Sequence, residues 1–144
     1  MTPRRALLAA LPALSIIRPA GATPETMQAA IRDVFGSRPI AKGRVIMDIP
    51  PLVENGNTVP LSVVVESPMT AADHVRRIAV FNSRNPLPGV IVAELGPRAG
   101  AARLATRIRL ATTQQIIALA EMNDGSLWSD TAEVVVTLAA CVEG

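Results

Sequence analysis

The chain has 144 residues, 49% of them hydrophobic and 18% charged, which is enough for one domain with a core after any leader. Its 14 basic and 12 acidic residues give a net charge of +2, but residues 1–22 hold three arginines and no acidic residue, so residues 23–144 carry −1. A domain with a net charge near zero, a single lysine, Lys42, and three aromatic residues lacks the net basic charge of nucleic-acid-binding proteins, and we exclude that class.

Residues 1–22 have the composition of an export signal. Arg4 and Arg5 form a charged start, residues 6–17 are apolar, and residues 20–22 are the small residues of a cleavage site near Ala22. The paired arginines resemble a twin-arginine signal, although the general secretory route fits as well. The apolar stretch is too short to cross a bilayer as a helix. We therefore expect a cleaved, periplasmic protein that does not associate with the membrane.

The segment Thr23–Phe35 is predicted to be the one N-terminal helix. Thr23 suits the N-cap position, Pro24 suits the first helical position, and Gly36 suits the end. The apolar residues recur at helical spacing and form one stripe: Met27, Ala30, Ile31, Val34 and Phe35.

From Arg44 onward the apolar residues alternate with polar ones, which predicts strands. The clearest patterns are Val59–Val65, Arg103–Leu110 and Ala132–Leu138; weaker ones are Arg44–Ile49, Val75–Phe81, Val90–Leu95 and Gln115–Met122. The residues of Gln114–Met122 also favour a helix, but the flanking strands favour a strand. Residues 96–100 are predicted to form a hairpin. About seven short strands between such turns predict an all-β protein, an immunoglobulin-like antiparallel β-sandwich over residues 23–138.

Few residues offer catalytic or metal chemistry. The only histidine, His74, lies beside Asp73 with no cluster of further ligands nearby in sequence, so we predict neither a metal site nor a cofactor. The only cysteine, Cys141, lies three residues before the C-terminus of an exported chain. It is either a small packed hydrophobe or, as the position at the chain end favours, a thiol held out to other proteins.

Two further segments contain residues that folding alone does not require. One is Glu54-Asn55-Gly56, in which Glu54 suits a cap or brace for a neighbouring strand. The other is Thr106–Leu110, where Arg107 and Arg109 either pair with carboxylates of a partner or form a solvated arginine face.

The sequence resembles a known family, SoxY, the sulfur-carrier subunit of periplasmic thiosulfate oxidation. The resemblance runs through these ordered segments: residues 31–36, 52–56, 59–61, 66–69, 85–86, 105–110 and 122–126. It implies an immunoglobulin-like sandwich without catalysis of its own, paired with a SoxZ-like subunit. It also implies a C-terminal arm, residues 139–144, on which Cys141 carries sulfur intermediates covalently to separate loading, oxidising and hydrolysing enzymes.

The arm departs from the glycine-rich ending typical of that family. It consists of Ala139, Ala140, Cys141, Val142, Glu143 and Gly144. Ala139 and Ala140 make the chain segment that leads to the thiol stiffer, because alanine lacks the conformational freedom of glycine. Val142 adds bulk beside the sulfur, and the charge of Glu143 disfavours the thiolate and repels anionic substrates such as thiosulfate. The ending resembles a branch of the family with an Ala-Ala-Cys-Ile-Glu arm.

Three functions follow from this reading. The first is a covalent sulfur carrier whose only non-protein group is the adduct on Cys141. The second is a scaffold subunit of a SoxYZ-like heterodimer that has lost carriage. The third is a redox-catalytic thiol, which lacks a visible resolving cysteine. A partner subunit is also suggested by runs that are apolar on both faces, residues 63–65 and 134–136.

Overall fold

The computed structural model describes residues 21–138. The predicted signal up to residue 20 and the predicted arm, residues 139–144 with Cys141, lie outside the described residues. The elements within them are α1 Pro24–Phe35, β1 Ile40–Lys42, β2 Val45–Asp48, β3 Leu52–Val53, β4 Val59–Val65, β5 Val75–Asn82, β6 Gly89–Glu94, a 3-10 helix Pro97–Ala99, β7 Ala102–Ile108, β8 Gln114–Met122 and β9 Leu127–Val136.

These strands form two sheets that pack face to face. One sheet has the order β1-β9-β8-β5-β6, with β3 also pairing with β9; the other has the order β2-β4-β7. All strand pairs are antiparallel except β1 and β3, which run parallel to β9. The core between the sheets contains fully buried side chains from both, such as Val63, Val80 and Ile116. The predicted all-β sandwich with one N-terminal helix is confirmed.

The helix α1 begins and ends where its local signals predict. The Thr23 hydroxyl accepts from the backbone N–H of Thr26 and the Thr26 hydroxyl accepts from that of Thr23, which forms a capping box. Pro24 starts the helix, and Gly36 ends it with a φ of 77°. Its buried side chains, Met27, Ile31 and Phe35, pack on the outer face of the six-stranded sheet. Phe35 meets Phe81 edge-on at 6.4 Å between ring centroids. This sheet is therefore covered on both faces, whereas no helix within residues 21–138 covers β2-β4-β7.

The segment Gln114–Met122 is a strand, and the alternative helix is wrong. It lies between β9 and β5, and eight of its nine residues are buried. Because α1 covers one face and the core covers the other, both faces of β8 must be apolar, and the alternation of a half-buried strand disappears.

A buried carboxylate links α1 to the sheet. Glu121, whose side chain is 7% exposed, accepts hydrogen bonds from Arg77 at 3.0 and 3.1 Å and from Arg38. Arg38 also donates to the carbonyl oxygens of Phe35 at 2.8 Å and Gly125 at 2.7 Å. The hydrogen bond from Arg77, followed by that from Arg38, holds the pKa of Glu121 below its ordinary value against the opposing effect of burial.

Three sequence predictions differ from the structure in detail. Residues 96–100 do not form a hairpin, because the 3-10 helix there connects β6 and β7, which belong to different sheets. The strand predicted to end at Leu110 ends at Ile108. The last strand begins at Leu127 and ends at Val136, so Leu138, predicted to face inward, is 64% exposed. Among residues 21–138, no helix has the length and apolar character needed to cross a membrane.

Candidate functional site at the root of the C-terminal arm

The candidate site is the point where the chain leaves the sandwich toward Cys141. β9 ends at Val136, and the described chain continues to Leu138, three residues before the cysteine. We call the segments that hold this point the arm root: residues 51–57, 109–114 and 134–138. Predicted arm residues 139–144 lie beyond it and outside the described residues.

Backbone hydrogen bonds hold the chain up to Leu138. The N–H of Val135 donates to the carbonyl oxygen of Pro51 at 2.9 Å, and the N–H of Thr137 donates to that of Val53 at 3.0 Å. These bonds extend the parallel pairing of β3 with β9, in which Val53 lies opposite Val136. The carbonyl oxygen of Leu138 accepts from the N–H of Gly56 at 2.9 Å. The backbone is thus held to within three residues of Cys141.

Gly56 connects the two segments that the sequence singled out. Its N–H donates to Leu138, and its carbonyl oxygen accepts from the N–H of Leu110 at 2.8 Å. Gly56 and Leu110 are both buried. The side-chain oxygen of Asn55 accepts from the N–H of Asn57 at 3.0 Å and shapes the turn. Residues 54–56 and 106–110 therefore meet directly at the arm root.

An amide network holds the other side of the root. The Asn85 side chain accepts from the N–H of Ala111 at 2.9 Å and from the Gln114 amide at 2.7 Å, and it donates to the carbonyl oxygen of Arg109 at 2.7 Å. Thr113 accepts from the N–H of Val136 at 3.0 Å. The strand β9 is consequently bound on both edges where it ends. The sequence alone does not reveal this role of Asn85, because its partners lie 24 to 29 residues away.

The surface of the arm root is apolar on one side and basic on the other. Leu52 and Val135 lie opposite each other in the parallel pair and are 58% and 47% exposed. On the other side Arg109 and, two residues before it, Arg107 of β7 are exposed and make no ion pair with any residue of 21–138. The suggested brace at Glu54 is made by its backbone, since its carbonyl oxygen accepts from the Thr137 hydroxyl at 3.5 Å.

The only histidine lies at the opposite end of the molecule. His74 precedes β5, whose first residue pairs with Met122, whereas the arm root adjoins Gln114 at the other end of β8, roughly 27 Å away. Its Nδ1 lies 2.9 Å from the carbonyl oxygen of Thr70. The neighbouring Asp73 pairs with Arg44 at 2.9 Å. Within residues 21–138, no three His, Cys, Asp or Glu side chains are grouped so as to hold a metal ion.

The described residues form a β-sandwich whose last strand leads toward Cys141 through a hydrogen-bonded root. A family model described as sulfur oxidation protein SoxY matches residues 31–141, and the chain belongs to that family. The match includes Cys141. The resemblance given by the sequence segments is thereby confirmed.

Solved structures agree with this assignment. The sulfur carrier protein SoxY from Chlorobium limicola f thiosulfatophilum is 28% identical, with a TM-score of 0.68 over 79% of this chain and 98% of that one. A superoxide reductase (neelaredoxin) variant from Ignicoccus hospitalis is 18% identical, with a TM-score of 0.58 over 79% of this chain and 92% of that one. The superoxide reductase of Nanoarchaeum equitans is 14% identical, with a TM-score of 0.52 over 67% of this chain and all of that one. The two reductases share the fold alone. No curated protein sequence that was compared matches the chain.

Proposed function

We propose that this protein is a carrier in sulfur-compound oxidation that holds sulfur intermediates covalently on Cys141 and presents them to separate enzymes. The observation that carries the proposal is the SoxY family match, which extends to Cys141. The relative from Chlorobium limicola is itself described as a sulfur carrier protein. The protein performs no catalysis in this scheme, in agreement with its family.

The arm root supports this function because a carrier needs a fixed base and a free tip. Hydrogen bonds to Val53 and Gly56 fix the backbone up to Leu138. In an extended chain, the three residues from Leu138 to Cys141 span about 10 Å. Such a reach brings a sulfur atom into the active site of a docked enzyme, while the sandwich stays outside it.

The covalent chemistry requires partner enzymes. Joining the Cys141 sulfur to the outer sulfur of an anion such as thiosulfate forms one S–S bond and releases one proton and two electrons. The sandwich offers no acceptor for these electrons among its described residues, so the scheme assigns them to an oxidising loading enzyme. Hydrolysing enzymes then remove the oxidised group. Ala139, Ala140, Val142 and Glu143 depart from a glycine-rich arm, so the identity of the cargo and of the enzymes is left open in this proposal.

Export and pairing complete the proposal. The signal at residues 1–22, cleaved near Ala22, delivers the chain to the periplasm, by the twin-arginine route or the general secretory route. A SoxZ-like subunit is the proposed partner, as the family implies. The exposed apolar side chains of Leu52 and Val135 beside the arm root support a protein contact there.

The test is the intact mass of the mature protein, purified from its native host during growth on reduced sulfur compounds, before and after a thiol reductant. We expect a sulfur-bearing mass increase that the reductant removes and that Cys141→Ser lacks. The same measurement gives the mature N-terminus and so locates the cleavage site. An unmodified thiol, together with an intact complex and phenotype in Cys141→Ser, would instead establish the scaffold function.

A further inference from the structure

The charges of the described chain are segregated by position. Residues 76–109 hold seven arginines and one acidic residue, Glu94. The other described residues, 21–75 and 110–138, hold four basic and ten acidic residues. The basic segment comprises β5, β6 and β7, and β6 and β7 are the edge strands of the two sheets. One side of the sandwich is therefore strongly positive.

Three of these arginines form a row on β7 and just beyond it. Arg103 and Arg107 are exposed on the outer face of the strand, since the alternate residues Ala102 and Ile108 are buried, and Arg109 is exposed two residues further on. At about 3.3 Å per residue the row is roughly 20 Å long. None of the three makes an ion pair with any residue of the described chain. By contrast, Arg77 of the same basic segment is paired with Glu121.

The row adjoins surfaces that a partner can fill. β7 pairs with β4 on one edge, and no described strand pairs with its other edge. Beside Arg107 the outer face of the three-stranded sheet has a depression of about 470 Å³, lined in part by Pro60 and Ala105, with Asp48 at its far side. A second depression, of about 390 Å³, lies between β6 and β7 and is bordered by Arg107 and Arg109.

The row also leads to the arm root. Arg109 precedes Leu110, whose N–H donates to Gly56, and Gly56 donates to Leu138. A protein that binds along the row therefore lies close to Leu138, because two backbone hydrogen bonds through Gly56 connect Leu110 with Leu138. We infer that the row Arg103, Arg107 and Arg109 is the docking surface for an acidic face of the enzymes that act on Cys141.

The physical argument is charge complementarity. Arginine forms bidentate hydrogen bonds with carboxylates, and complementary charge on an exposed surface mainly accelerates and orients association. A carrier must leave each enzyme again, and exposed ion pairs favour such short-lived binding because water and salt compete with them. The inference rests on the proposed carrier function, since only a carrier requires enzymes beside its arm.

The test uses a photo-crosslinker in the full chain in its native host. p-Benzoylphenylalanine replaces Ala105, between two of the arginines, and in a control it replaces Gln28, which is exposed on α1. We expect position 105 to crosslink to a segment rich in Asp and Glu of an enzyme that modifies thiols or sulfur groups, and position 28 not to do so. The variant Arg107→Glu/Arg109→Glu should lower the yield at position 105 by roughly tenfold. The neutral variant Arg107→Gln/Arg109→Gln should lower it less.

A charge-swap rescue separates docking from a structural role. Replacing the mapped partner carboxylates by arginine should restore the crosslink to the Arg107→Glu/Arg109→Glu variant. A yield unchanged by either arginine variant, a crosslink to a second copy of this chain, or no crosslink at all would overturn the inference. The mass of the Cys141 adduct, measured on the same cells, reports the carrier function separately.

Discussion

The ion-pair cluster around Glu121 gives a sharp prediction about stability. Glu121→Gln keeps the shape of the side chain but removes the charge that Arg38 and Arg77 share. Breaking a buried ion pair from one side costs about 3–5 kcal/mol. The arginine side chains are 36% and 25% exposed, so water recovers part of this energy. We expect a loss of about 2–3 kcal/mol at pH 7 and, for a domain of this size, a fall in Tm of roughly 10 °C.

The pH dependence tests the cause of that loss. The arginines lower the pKa of Glu121 from 4.5 in the folded protein. Its charge therefore stabilises the fold at pH values above 4.5, and this contribution disappears as the pH falls through the lower folded-state pKa. The difference between wild type and Glu121→Gln should consequently be largest near pH 7 and narrow below pH 4.5.

The assay is urea unfolding followed by far-UV circular dichroism from pH 3 to pH 7. Glu133→Gln is the matched control, because Glu133 lies on the next strand, is exposed and makes no ion pair within residues 21–138. The control should change the free energy of unfolding by less than about 0.5 kcal/mol. A loss below about 1 kcal/mol for Glu121→Gln, or a difference that does not narrow in acid, would refute the reasoning.

Three more predictions concern the helix, the arm root and the thiol. Ile31→Ala should destabilise the protein by about 2–4 kcal/mol in urea unfolding, because Ile31 is 2% exposed, and a loss as small as that of Gln28→Ala would contradict the packing of α1. Asn85→Ala should cost about 2 kcal/mol and accelerate hydrogen exchange at the Ala111 amide, which loses its acceptor; an unchanged rate would argue against the network. Cys141→Ser should leave Tm unchanged within about 1 °C, since the proposed carrier function requires a thiol that is not packed in the core, and a large fall in Tm would indicate a packed core cysteine.

The sequence predicts the elements whose signals are local. The capping residues of α1, from Thr23 to Gly36, lie within the helix or next to it, and the alternation in Val59–Val65 reports a strand with one buried face. The strands β1 and β3 escaped prediction because they have three and two residues, too few for an alternation to show. β8 was ambiguous because the helix that covers its second face lies about 80 residues earlier in the chain.

At the candidate site the same distinction holds. The sequence shows the position of Cys141, and it singles out residues 54–56 and 106–110 as segments with more features than folding requires. The sequence does not show that Gly56 connects Leu110 of the second segment with Leu138. Gly56, Leu110 and Leu138 are brought together only by the pairing of β3, β4, β7 and β9. Likewise, the link from Glu121 to Arg38 spans 83 residues. Contacts of this range depend on the completed sandwich.

The clamping of β9 on both edges has a mechanical consequence. A pull at Leu138 that is directed along the axis of β9 loads a strand that is bound by β8 on one edge and by β1 and β3 on the other. Hydrogen bonds between antiparallel strands are perpendicular to that axis and those between parallel strands are slanted to it, so a pull along the axis loads them together instead of opening them one after another. A load applied along β9 at its C-terminal end is therefore resisted on both edges at once, which protects the last strand of the sandwich from peeling.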